Sequence, residues 1–244
     1  VMLLQSRIRS LPAMPEHDTA APRPTRVWDL PTRLFHWSLV ALVVFSAITG
    51  EFAEVLGTDY LERHMLSGYA VLALLLFRLI WGFIGNRHAR FASFLRGPRA
   101  VLAYFSALRG RGAAAMHAGH NPLGGWSVAA MLGVLLVQVG SGLFLSDDDL
   151  DVHAPLSRHV ANRTIDLLHE VHETSFKLLL ALIVIHLAAI AYYRFAKGDN
   201  LVRPMLSGDK MLAGVEPARG GAWWLGALVL ALTAGAVWYL VNRV

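Results

Sequence analysis

The run Val171–Tyr193 reads VHETSFKLLLALIVIHLAAIAYY. It is long enough to cross ~30 Å of hydrocarbon at ~1.5 Å per residue. It also carries two imidazoles, His172 and His186, 14 positions apart. At ~100° per residue the two differ by about 40° in facing, and they are about 21 Å apart along the axis. One helix face therefore presents one imidazole near each membrane surface. Ionisable side chains inside a span are costly and usually serve a function.

Four more apolar runs accompany this one: roughly Leu34–Phe52, Leu66–Ile84, Trp126–Leu145 and Trp223–Leu240. They are continuously apolar and do not alternate as barrel strands do. Trp37, Trp81, Trp126, Trp223, Trp224, Trp238 and Tyr239 mark their ends in an interfacial belt. The composition agrees: 55% of the 244 residues are hydrophobic and 16% charged, against about 25% charged in soluble domains. Mean hydropathy is +0.48. The expected class is an all-α integral membrane protein with five spans. The chain has no cysteine, which excludes disulfides, thiolate catalysis, iron–sulfur clusters, thiolate zinc sites and covalently attached c-type haem.

The net charge of +5 reads as membrane topology, not nucleic-acid binding, because the basic residues are confined to particular loops. Arg87, Arg90, Arg96, Arg99, Arg109 and Arg111 follow the second span, and Arg194, Lys197, Arg203, Lys210 and Arg219 follow the fourth. Arg7, Arg9, Arg23, Arg26 and Arg33 precede the first. The other two loops are acidic, with Glu51, Glu54, Asp59 and Glu62, then Asp147, Asp148, Asp149 and Asp151. The positive-inside rule places the N-terminus in the cytoplasm, the acidic loops outside and the C-terminus outside. The proline-rich stretch 1–26 reads as a disordered cytoplasmic tail. Val101, Leu102, Phe105 and Leu108 fall at helical spacing between Arg99 and Arg109, as in a short helix on the cytoplasmic membrane face.

Topology sorts the span histidines into pairs. His36 enters the first span from inside and shares its depth with His186; His64 enters the second from outside and shares its depth with His172. Two pairs at two depths facing a bundle interior are what two bis-histidine haems need, since haem iron takes axial imidazoles and a four-helix bundle supplies them from facing helices. His169 competes for the outer position, but it lies 17 residues before His186 and faces about 100° away; it reads as a supporting or loop residue. Zinc fits less well, because no carboxylate accompanies either pair, and a proton relay does not explain the pairing. Gly50, Gly68, Gly140 and Gly142 leave room for a porphyrin or for close helix packing. Arg78 lies 14 residues after His64, on the same face at the inner depth, where it can pair with a propionate or snorkel. Arg33 is a similar candidate.

The run Val27-Trp28-Asp29-Leu30-Pro31-Thr32-Arg33-Leu34-Phe35-His36-Trp37 resembles the opening of the bacterial di-haem cytochrome b family. That family includes the b-type cytochrome subunits of nickel–iron hydrogenases and formate dehydrogenase, and the bacterial b-561 cytochromes. His64 with Gly68-Tyr69, Phe77-Arg78 and Trp81-Gly82-Phe83 resembles its second helix. Gly119-His120-Asn121-Pro122-Leu123-Gly124-Gly125-Trp126 resembles the lead into its third, and the spaced histidines resemble its fourth. The resemblance covers about Val27 to Met211. It implies a four-helix di-haem bundle over 27–211, with 212–244 adding a linker and a fifth helix that the family core does not require. It further implies two haem b groups, on His36 with His186 and His64 with His172, and electron exchange between a periplasmic partner and quinone. Quinone is then expected near the inner haem beside Asn121 and His120, with His120 available to exchange a proton.

The leading expectation is an electron-transfer subunit in the lipid bilayer, coupling quinone as substrate to a periplasmic hydrogenase, c-type cytochrome or dehydrogenase. The competing readings are a self-contained quinone oxidoreductase acting on a small diffusible species such as superoxide, and a haem-free membrane scaffold.

Overall fold

The computed structural model describes residues 21–52, 55, 57–109, 118–218 and 221–243, without the side chains of 108 and 109. Five helices are long and apolar enough to cross a membrane. They are α1 (Leu30–Glu51), α2 (Thr58–Ile84), α5 (Pro122–Gly142), α6 (Asn162–Ala196) and α8 (Trp223–Arg243). The short helices α3 (Phe91–Phe94) and α4 (Pro98–Arg109) lie between α2 and α5, and α7 (Val202–Ser207) follows α6.

Each expected span is present, and side-chain caps set the starts of α1 and α5. Asp29 accepts the Thr32 N–H at 2.8 Å and Pro31 fills the first turn, so α1 starts before its apolar run. Asn121 and Pro122 repeat the device on α5, with Asn121 Oδ1 accepting the Gly124 N–H at 2.7 Å. Helix α6 begins nine residues before its apolar run because Asn162–Glu170, polar at several positions, has no breaker. The basic segment forms α4, in which Leu102 and Phe105 are exposed and Tyr104 is buried.

The tail boundary needs correction. Arg23–Arg26 is not disordered but forms strand β1, antiparallel to β4 (Asp209–Leu212). The unit therefore begins before Val27 and includes Leu212. Gly208 closes α7 in the left-handed region at φ 90°, and its carbonyl accepts the Val27 and Trp28 N–H groups at 2.8 and 3.1 Å. Residues 1–20, with Arg7 and Arg9, lie outside the described residues, as do Glu54, Arg111 and Arg219.

Helix α2 is the hub. Half of its apolar window is buried, against 11% for α1 and for α6. It packs on α1, α5 and α8, while α6 packs chiefly on α5. Phe35, Leu75, Phe77, Trp81, Leu132, Val139, Leu179 and Val229 share one core cluster. The fifth span is part of this packing: Gly226 lets α8 press against Pro31 and Trp81. Val44, Leu187 and Leu232 are exposed among many other large apolar residues, the surface a bilayer covers. Strands β2 (Ser146–Asp147) and β3 (Val152–His153) make a hairpin in the acidic loop between α5 and α6.

Candidate haem-binding site

The α1–α2 pair and the α5–α6 pair face each other across a gap with two histidine layers. In one layer the rings of His64 on α2 and His172 on α6 stand 6.1 Å apart, centroid to centroid, inclined at 73°. A cavity of about 320 Å³ adjoins them, lined in part by Gly50, Gly68, Gln138 and Gly142. His64 Nδ1 lies 2.8 Å from the Ser46 carbonyl. A carbonyl only accepts, so Nδ1 carries the hydrogen and Nε2 keeps its lone pair. His172 Nδ1 lies 3.2 Å from Ser141 Oγ. That hydroxyl donates to the Gln138 carbonyl at 2.9 Å and so accepts from His172, again leaving Nε2 as the electron-pair donor. Ser175 Oγ, held to Gln138 Oε1 at 2.5 Å, ties α6 to α5 one turn further on.

This donor set fits a bis-imidazole iron. Nitrogens at ~2 Å on either side of a metal put ring centroids roughly 6 Å apart, and ligating histidines characteristically donate their other N–H to a fixed acceptor. Gly50 and Gly142 are required by the rings: a Cβ on Gly50 would stand 2.9 Å from His64, and one on Gly142 3.1 Å from His172. Gly140 meets nothing within 4 Å and does not line the cavity, so it has no such duty. Gly68 is equally open, but it faces the cavity. His169 is exposed along the cavity wall, on α6 and not in a loop.

The other layer holds His36 on α1 and His186 on α6, both half-buried and near enough to interact electrostatically. His36 Nδ1 is buried without a hydrogen-bond partner. His120 sits above this layer, between Trp28 at 4.8 Å and Phe94 at 4.7 Å between ring centroids. Arg78 is 3% exposed. Its Nη2 donates to the Ala89 carbonyl at 3.0 Å, its guanidinium lies over Phe91 at 4.9 Å, and its Nη1 has no partner. His88 Nε2 and His120 Nδ1 are likewise buried and unpartnered. These orphaned nitrogens match a missing acceptor group, since buried donors are otherwise paired. Arg33 reaches away, Nη1 donating to the Leu206 carbonyl at 2.8 Å, while its Nε is buried and unpartnered.

Burial, reinforced by Arg78, His186, His36 and His88, pushes His120 down to about 3, so its surroundings favour the neutral ring. Asn121 is both the cap of α5 and a donor, through Nδ2, to the Tyr193 hydroxyl at 3.0 Å. Tyr193 is also hydrogen-bonded to Tyr104, which links α4 to the end of α6.

Sequence reasoning reached the histidines, Arg78 and the loop, but not Ser46, Ser141, Gln138, Ser175 or His88. Ser46 contributes only a backbone carbonyl, which no side-chain pattern announces. Ser141 and Ser175 belong to no motif that marks them, and His88 stands between arginines in the segment after the second span.

The chain is similar to the "Probable Ni/Fe-hydrogenase 1 B-type cytochrome subunit" of Escherichia coli K12, 24% identical over 215 residues, covering 75% of this chain and 88% of the relative. The protein of the same name from Escherichia coli O157:H7 matches with the same identity and coverage. Residues 27–208, from the strand-turned entry of α1 through the end of α7, match the family described as Prokaryotic cytochrome b561. With that match over most of its length, the chain belongs to the prokaryotic cytochrome b561 family, multi-pass membrane b-type cytochromes that carry haem b and transfer electrons.

Proposed function

We propose that the protein binds two haem b groups and carries electrons across a bacterial inner membrane between a periplasmic redox protein and the quinone pool. The observation that carries this reading is the His64–His172 pair, at 6.1 Å with both Nδ1 atoms held and both Nε2 atoms left as donors. His36 with His186 is the second ligand pair. Haem supplies a one-electron carrier at each layer when bound.

The protein's own residues do the rest. Ser46 and Ser141 fix the tautomers on one side. On the other, Arg78 offers Nη1 to a propionate, with His88 and His120 as neighbouring donors. Arg33 Nε is a further donor near the start of α1. The loop charges favour a cytoplasmic N-terminus, which puts the His36–His186 layer inside and the His64–His172 layer outside. Quinone then reacts from the inside, at the loop of His120 and Asn121. One Asn121 Nδ2 hydrogen remains for a quinone carbonyl after the bond to Tyr193, and neutral His120 supplies a hydrogen bond, not a proton. The named relative, a hydrogenase cytochrome subunit, makes a hydrogenase the first partner to test, with a c-type cytochrome next.

The test is haem content. A pyridine haemochrome assay on the purified protein is expected to give about two haem b per chain. His186→Ala and His172→Ala are each expected to remove one, and His169→Ala neither. A value near one or zero for the unaltered protein, or loss of a haem in His169→Ala but not His172→Ala, overturns the assignment.

A further inference from the structure

Between the two histidine layers the bundle is electrically lopsided. Arg78, on the His36–His186 side, is a buried cation at 3% exposure with one Nη unpartnered. Among the described residues no carboxylate lies within ion-pair distance of it. Asp29 acts on it only from further away and is already engaged with the Thr32 and Asn86 N–H groups and Trp81 Nε1. The His64–His172 cavity holds no cation of this kind and is lined instead by Glu51, Asp147 and Glu173. The ligand hydrogen bonds are lopsided in the same sense. His64 and His172 donate Nδ1–H to Ser46 O and Ser141 Oγ, while His36 Nδ1 has no acceptor.

Both asymmetries act on reduction potential. A buried positive charge, also when a propionate lies beside it, favours the state with one electron more relative to a site without that charge, and in a low-dielectric interior its effect is weakly screened. An acceptor on the far nitrogen makes an imidazole a stronger donor and favours the oxidised iron.

Resting on the two-haem reading, we infer that the His36–His186 layer is the higher-potential site, with Arg78 setting much of the difference, so that electrons run downhill from the His64–His172 layer to it. Each transfer moves one electron, one layer being oxidised as the other is reduced. No bond forms or breaks and no proton moves. The polarity concerns only the step between the two layers, and Arg78 is the residue that sets it.

The experiment is potentiometric titration of the purified haem-loaded protein, followed by visible absorbance. His172→Ala and His186→Ala assign each wave by removing it. The wave lost in His172→Ala is expected at the lower potential. Arg78→Gln is expected to lower only the wave lost in His186→Ala, by roughly tenfold in its oxidised-to-reduced ratio at fixed potential, about 59 mV for one electron. Arg78→Lys, which keeps the charge, is expected to restore most of that shift. The order of the two waves in the unaltered protein needs no variant; equal or reversed potentials overturn the inference. An Arg78→Gln protein with neither wave moved, or both moved alike, also overturns it. Failure of the histidine variants to remove one haem each is a different result, and it overturns the two-haem reading together with the polarity built on it.

Discussion

Gly50→Ala tests whether His64 is held by its surroundings in the manner a ligand requires. The new Cβ would stand 2.9 Å from His64 Nδ1 and Cε1, where ordinary contact begins at 3.4 Å. The ring must retreat by about 0.5 Å, and the neighbours that resist are parts of two packed helices. Overpacking of this kind costs about 1–3 kcal/mol. Moving the ring also strains the 2.8 Å bond from Nδ1 to the Ser46 carbonyl, worth about 1 kcal/mol. If the sum, about 2–4 kcal/mol, falls on the haem-bound state, affinity at that layer drops roughly 30- to 1,000-fold. The assay is haem per protein after purification, followed by the rate of haem loss to excess apomyoglobin. Gly50→Ala is expected to keep one haem firmly and shed the other quickly. Gly140→Ala is the control, since its Cβ meets nothing within 4 Å and alanine is a better helix former by about 1 kcal/mol. Retention of two haems with unchanged loss rates in Gly50→Ala would refute the reasoning.

Two further outcomes are expected. Asp29→Ala removes the α1 cap and strands the buried Trp81 Nε1–H and Asn86 N–H; the combined cost is about 3–5 kcal/mol, and an unchanged midpoint of thermal unfolding in detergent would contradict that. His120, pushed down to about 3 by burial, is neutral when folded, so the unfolded chain takes up its proton first as pH falls through about 6.5. Stability from this group is complete above that pH and lost progressively below it, by up to about 2 kcal/mol at pH 5. Melting curves of His120→Phe are therefore expected to depend less on pH between 7.5 and 5 than those of the unaltered protein, and equal dependence would exclude His120 as the source.

The five spans were legible because a bilayer demands long apolar helices whatever their packing, and the nearness of His64 to His172 because the loop charges set both at the same depth. Three things were not legible, each for a physical reason. Hydropathy cannot see a helix continue into water, so the polar first turns of α6 escaped it. Strand β1 is four residues whose partner, Asp209–Leu212, lies more than 180 positions away; proline and arginine there read locally as a tail. The imidazole acceptors escaped because one is a main-chain carbonyl and the other a serine on a different helix. The enclosure of His120 was not legible either, since Trp28 and Phe94, which close over it, come from distant parts of the chain.

The sparse packing of α6 is the feature that joins fold to chemistry. A helix with only Ser175 and Leu179 buried would be weakly anchored in water, and in a bilayer the hydrophobic effect gives no force to close it onto α1 and α2. Yet α6 carries one histidine of each layer, and its close partner is α5. Filling the gap with small residues would bring α6 against α2 and leave no space between the imidazoles. Filling it with large ones would occupy the cavity that Gly50, Gly68 and Gly142 keep open. The sequence does neither: it sets serine and glutamine on α5 and α6 to hold that pair in register, through Ser141 and His172 and through Gln138 and Ser175. Helix α6 is thereby tied to α5, which itself packs on α2, while α6 meets α1 and α2 only sparsely, and that leaves room between His64 and His172 for a group held from both sides.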